Sequence, residues 1–335
     1  MKPLPLLFLL VLGLSTRLLA DPVLWTNPLV EQRADPHVTY HDGHYLLIAT
    51  VPAYDRIELR RASTLDGLRD AAPVDVWHRQ ETGVMSAHIW APELHRIDGK
   101  WYIYFAAGSS EDVWAIRMYV LENAAEDPLA GTWVEKGQIR TPWESFSLDA
   151  TTFEHQGRRY LAWAQRGPHG KEGTNIYLAT MDTPWSIDCQ PVELSAPELP
   201  WEREKYLVNE GPAVLIRNGR VFMTYSASAT NEYYCMGLLT APADANLLDA
   251  ASWTKSPRPV FATWSVNAVY GPGHNSFTST PDGKHDILVY HARNYREIKG
   301  HELGNPDRHT RAQLLRWHTD GTPDFGVPVL DGPLR

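Results

Sequence analysis

Only two cysteines, Cys189 and Cys235, occur in 335 residues. They stand 46 positions apart, which makes neither a disulfide framework nor a zinc site. Two buried thiols are the preferred reading, and pairing is left open. Positive charge is in short supply as well: 31 Lys and Arg face 40 Asp and Glu, for a net charge of −9. That balance argues against nucleic acid or an anionic membrane surface as a partner. There is no Gly-rich phosphate loop, no HExxH helix and no G-x-S-x-G elbow, so nucleotide, zinc-protease and serine-hydrolase chemistry lack their signatures. Helical periodicity is scarce, with "NLLDAASW" the one candidate for a short helix. Long apolar runs are absent after the N-terminus.

The N-terminal run is itself short. Lys2 precedes apolar residues from Leu4 to Leu14, and Ala20 offers a small residue at the end. Eleven residues are too few to span a bilayer, so residues 1–20 read as a cleaved signal peptide. Residues 21–335 then form one mature domain, secreted or periplasmic, without a membrane anchor and monomeric by default.

Aromatic residues are plentiful, with 13 Trp and 15 Tyr. Most belong in a core, and a minority in a cleft would suit flat amphipathic ligands such as sugars. One hairpin pattern recurs five times: a small polar or acidic start, an apolar strand, a Gly turn and an aromatic-rich strand. The copies are "ADPHVTYHDGHYLLIAT", "WAPELHRIDGKWYIYFAAG", "LDATTFEHQGRRYLAWAQ", "NEGPAVLIRNGRVFMTYSAS" and "GHNSFTSTPDGKHDILVYHAR". Strand-like pieces such as "RIELRRAST" and "YCMGLLTA" lie between them. A period near 60 residues with about four strands per unit predicts an all-β, five-bladed β-propeller.

Aligned on the turn glycine, Asp35, Ala91 and Asp149 lie eight residues before Gly43, Gly99 and Gly157, while Glu210 and His274 lie nine before Gly219 and Gly283. The innermost strands of a propeller line its central channel, so these positions meet at one end of it. Three carboxylates would then share one pocket. Carboxylates facing each other across a sugar are the apparatus of glycoside hydrolysis: one donates a proton to the leaving oxygen, the other activates water. A neighbouring negative charge or an apolar wall raises the acid's pKa.

The motifs "RADPHV", "HIWAPELH", "SLDATTF", "VNEGPAV" and "YGPGHNSF", in that order at blade spacing, resemble those of glycoside hydrolase family 43, five-bladed propellers acting on arabinose- and xylose-containing polysaccharides. Further wording, including "FAAGSSEDVWAIRMYVLE" and "TYSASATNEYYC", is similar to the family's exo-acting α-1,5-L-arabinofuranosidases. The resemblance implies Asp35 as general base, Glu210 as general acid and Asp149 as the residue that raises and orients the acid. It implies inversion at the anomeric carbon. It places Trp90 and Arg311 at the terminal-sugar subsite, and His274 on the axis, where it often faces a structural cation, frequently calcium held through waters. No cofactor is required for the chemistry, and the partner is an arabinose-containing oligo- or polysaccharide.

Rival readings keep the fold and change the activity, to arabinoxylan debranching, β-xyloside hydrolysis, or sugar binding without catalysis. Loss of one of the three acids would favour the last, and none is lost. A Trp-Asp type interaction propeller would need Trp-Asp dipeptides, and there are none. His37, His41 and His44 straddle a hairpin turn and need not converge on a metal. Tyr54, Trp90, Trp143, Phe146, Trp201 and Tyr206 are expected around the channel mouth, as the rim of a blind pocket.

Overall fold

The computed structural model describes residues 24–168 and 173–334. The signal-peptide segment lies outside the described residues. The five repeats fold as five antiparallel sheets, whose innermost strands are Ala34–His41, Val84–Ile97, Ser147–His155, Asn209–Arg217 and Tyr270–Ser279. Each is followed outward by its hairpin partner and then by two outer strands, in sequence order, with one extra strand in blade 3. The "NLLDAASW" stretch is less than an α-helix: it holds a single 3₁₀ turn over Ala250–Ser252.

The hairpin turns follow from their residues. Asp42-Gly43, Asp98-Gly99, Gln156-Gly157 and Asn218-Gly219 all take positive φ at both positions. This is the type I′ turn, whose twist matches that of the flanking strands. In blade 5 the connection is longer, with Gly283 donating to the Thr280 carbonyl, which accounts for its extra residue of spacing.

Strand side chains alternate, and in every blade both faces are covered. In blade 1, Leu46 and Ile48 pack toward blade 2, whereas Tyr45 and Leu47 pack toward blade 5. The apolar core is thus five slabs, one between each pair of neighbouring blades. The N-terminal segment seals the slab between blades 5 and 1. Trp25 Nε1 donates to the Ala312 carbonyl at 3.0 Å, Thr310 N donates to Val30 O, and Trp25–Asn27 pairs with Gly332–Leu334. This closure brings the last innermost strand beside the first, so that all five face one channel.

Candidate active site

Each innermost strand carries a β-bulge. The inserted residue pairs are Asp35-Pro36, Ala91-Pro92, Asp149-Ala150, Gly211-Pro212 and His274-Asn275, where the register with the partner strand shifts. The first residue of every pair has positive φ. Such a bulge bends the strand and re-aims a side chain. For the non-glycine residues it stores roughly 1–3 kcal/mol of backbone strain each. The repeated device turns Asp35, Asp149 and His274 onto the axis.

Blade 4 departs from the sequence alignment by one residue. Gly211, not Glu210, occupies the bulge position. A Cβ there would lie 3.1 Å from the His274 ring, a tight contact that favours glycine, and the acid stands one residue earlier. Glu210 reaches the shared point from a different place on the backbone.

The buried Asp35 carboxylate is held from several sides. Thr50 Oγ1 donates to Oδ2 at 2.6 Å and itself accepts from Ala91 N at 2.7 Å. Arg308 Nη1 donates to Oδ1 at 3.2 Å. The Asp35 backbone N–H donates to His291 Nδ1 at 3.0 Å. His274 Nδ1 lies 3.3 Å from Oδ1. Burial alone would raise the Asp35 pKa. The opposing influences, the Arg308 guanidinium first among them, outweigh it and hold the group well below the usual carboxylate range.

Glu210 and Asp149 have the opposite tendency. Burial, and after it the charge of Asp35, pushes Glu210 up to about 7, against a hydrogen bond from the Tyr234 hydroxyl to Oε1 at 2.7 Å. Burial and the charges of Glu210 and Asp35 also push Asp149 well up, although Gly211 N donates to its Oδ2 at 3.0 Å. The two carboxyls titrate as a pair. Near neutral pH the cluster therefore contains one ionised carboxylate, Asp35, facing a pair that retains a proton.

These groups lie on the floor of a cavity of about 560 Å³. Trp90, Trp114, Phe146, Tyr206 and Leu303 form apolar walls. Trp90, as expected, lines the cavity, and His88 stacks on it with ring centroids 4.4 Å apart. Of the other rings assigned to the rim, Phe146 and Tyr206 line the cavity. Tyr54 backs Trp90 edge-on. Trp143 and Trp201 pack instead on Tyr177 and Tyr225.

Arg311 requires correction. It is fully buried, ion-paired with Asp331 near the C-terminus, and away from the cavity. The arginine that reaches Asp35 is Arg308, at the loop end just before the strand His309–Trp317. Sequence reasoning also missed Thr50, Tyr234 and His291, which lie outside the repeated strand starts.

Of the three histidines near the first hairpin, only His37 faces the channel. His41 meets Arg96, and His44 caps its own turn. Deeper in the channel His37 and His95 flank Glu93, with nitrogens 3.9 and 2.8 Å from Glu93 Oε2. Leu94 N–H points at His37 Nδ1, which leaves the ring hydrogen on Nε2, toward Glu93. Of the two imidazoles only His95, at 2.8 Å, lies within hydrogen-bond distance of Glu93, and the ligand atoms of all three residues lie within 4.8 Å of one another. Cys189 and Cys235 are both free thiols, in blades 3 and 4.

The chain is similar to known proteins. The profile described as glycosyl hydrolases family 43 matches residues 25–323. An extracellular exo-α-(1→5)-L-arabinofuranosidase of Streptomyces avermitilis is 60% identical over 93% of this chain, which spans only 66% of that relative's length. The enzyme of that name from Streptomyces chartreusis is 58% identical over 83% of this chain and 85% of its own. The crystal structure of an α-L-arabinofuranosidase from Lactobacillus brevis superposes with a TM-score of 0.89 at 52% identity, covering 92% of this chain and 98% of the other.

Proposed function

The chain belongs to glycosyl hydrolases family 43, and from that premise we propose that it is a secreted, inverting exo-α-L-arabinofuranosidase acting on α-1,5-linked arabinan or arabino-oligosaccharides. The observation that carries the reading is the opposed proton affinity of two carboxyls on one cavity floor, Asp35 low and Glu210 high. Such a pair assigns base and acid.

In this mechanism Glu210 gives its proton to the glycosidic oxygen as the bond to the anomeric carbon breaks. A water attacks that carbon from the opposite face, and Asp35 takes the water's proton. Exchange with solvent then restores both groups. Asp149 shares the pair's proton with Glu210 and fixes the acid's position through the Gly211 N–H, while burial and the charge of Asp35 keep Glu210 protonated. Arg308, Thr50 and His274 hold Asp35 ionised and aimed. Trp90 stacks against the terminal sugar.

Terminal action is supported by the wall across the cavity. The Tyr54 hydroxyl, from blade 1, donates to the Leu303 carbonyl of blade 5. Lys205, preceding blade 4, is paired with Glu302 at 2.8 Å. Two contacts thus tie three blades together on one side of the opening, which favours binding of a chain end over a chain passing through. Export is supported by the extracellular naming of the Streptomyces relatives. A cation on the axis would meet His274 through waters at Nε2, because Nδ1 faces Asp35 and Asp149. Its role would be structural.

The test is a pair of variants. Asp35→Asn should abolish turnover of both arabino-oligosaccharides and nitrophenyl arabinofuranoside. Glu210→Gln should cut the first by roughly 10²–10⁴-fold and spare much of the second, whose leaving group needs no proton. NMR should show the β-anomer of arabinose forming first. Equal losses on both substrates for Glu210→Gln, or initial α-anomer, would overturn the assignment. Faster release from arabinoxylan or β-xylosides than from arabinan would overturn the substrate.

A further inference from the structure

We propose that Tyr234 is the positioning residue that decides which oxygen of Glu210 carries the catalytic proton. The inference rests on the assignment of Glu210 as acid and extends it to a residue outside the repeated strand starts. Tyr234 lies at the end of the connection between the two strands Arg220–Ala227 and Cys235–Pro242. Its side chain is buried, and its hydroxyl donates to Glu210 Oε1 at 2.7 Å. A protonated carboxyl has one carbonyl oxygen and one O–H. A donor fixed on Oε1 makes that oxygen the carbonyl, so the proton resides on Oε2, free for the leaving group.

The hydroxyl is placed by the packing of its ring. The Tyr234 ring stacks parallel on His291, with centroids 5.5 Å apart and planes within 4°. His291 accepts the backbone N–H of Asp35. Acid and base are thereby referenced to one stacked pair of rings, which preserves their spacing. The ring also lies against Gly273, where a Cβ would stand 2.5 Å from Cε1. The glycine in "GPGH" is thus required by the tyrosine. It is the sequence trace of this contact, separated from it by 39 residues.

Glu210 is also faced by Asp149 of blade 3, His274 of blade 5, Asp35 of blade 1 and Arg308 of the blade 5 loop. Of these groups only Tyr234 hydrogen-bonds it, and that bond favours the carboxylate. Without it, Glu210 would hold its proton to higher pH and direct it less well.

The experiment is Tyr234→Phe, which keeps the ring stack and removes the donor. Turnover of arabino-oligosaccharides should fall by roughly 10-fold or more, and that of dinitrophenyl arabinofuranoside by about 2-fold or less. The alkaline limb of kcat/KM should move up by about one pH unit. Equal losses on both substrates with an unmoved limb would reduce Tyr234 to a packing role and overturn the proposal. Carboxyl ¹³C NMR, with Glu210 assigned through Glu210→Gln, gives the same titration without substrate. It therefore judges Tyr234 even if wild-type protein releases no arabinose, an outcome that would instead overturn the activity. Gly273→Ala, which should push the hydroxyl off Oε1, must shift that titration in the same direction. An unshifted Glu210 in both variants would overturn the proposal.

Discussion

The Arg308 guanidinium and the Asp35 carboxylate meet at 3.2 Å, both at most 7% exposed. Arg308 is the largest of the influences that lower the Asp35 pKa. A buried charge left without its partner is costly. Arg308→Met should therefore raise the Asp35 pKa, move the acid limb of kcat/KM to higher pH and lower kcat by roughly 10²-fold. Arg311→Met should leave the pH profile in place and act on stability, since Arg311 pairs with Asp331 away from the cavity. The two pH–rate profiles check both statements, and a shifted limb in Arg311→Met would reverse them.

The raised pKa of Glu210 has a consequence for stability. Its folded value is about 7 against an ordinary 4.5. The folded state thus holds a proton that the unfolded chain releases between these values. The associated stability is fully present below pH 4.5 and is lost as pH rises through about 7. The loss is on the order of 3–4 kcal/mol. Glu210→Gln removes this dependence. Its melting temperature should therefore gain on that of wild type from about pH 5 to about pH 8, as calorimetry would read. A constant difference across that range would mean that Glu210 is not protonated in the folded protein.

Digestion of linear arabinan should release arabinose from the first minutes, with slow loss of viscosity, because the Tyr54–Leu303 and Lys205–Glu302 contacts close one side of the opening. Early di- and trisaccharides with a rapid fall in viscosity would show internal cutting.

Exhaustive chelation should lower the melting temperature or the substrate affinity modestly and leave most turnover in place. The three carboxylates already supply acid, base and modulator in the proposed mechanism. Complete, metal-reversible loss of activity with the fold intact would make an axial cation part of the chemistry.

The sequence by itself determined everything that is periodic. The type I′ turn pairs, the alternating strands and the recurrence near 60 residues specify five blades, because each blade is a local hairpin repeated. The same periodicity located Asp35, Asp149 and His274, which occupy equivalent bulges. It misjudged Glu210 by one residue, because counting back from a turn does not reveal that the His274 ring fills the space beside Gly211. It chose Arg311 over Arg308, because the direction of a side chain at the start of the third strand of blade 5 depends on where the preceding loop lets the strand begin. It gave no sign of Tyr234, Thr50 or His291, whose importance lies in contacts to Glu210 and Asp35 from 15 to 256 residues away. The His291 and Arg308 contacts to Asp35 exist only once the N-terminal segment has closed the ring, and the burial that raises Glu210 needs all the blades in place, so the protonation of the acid and the charge of the base were decided by tertiary structure.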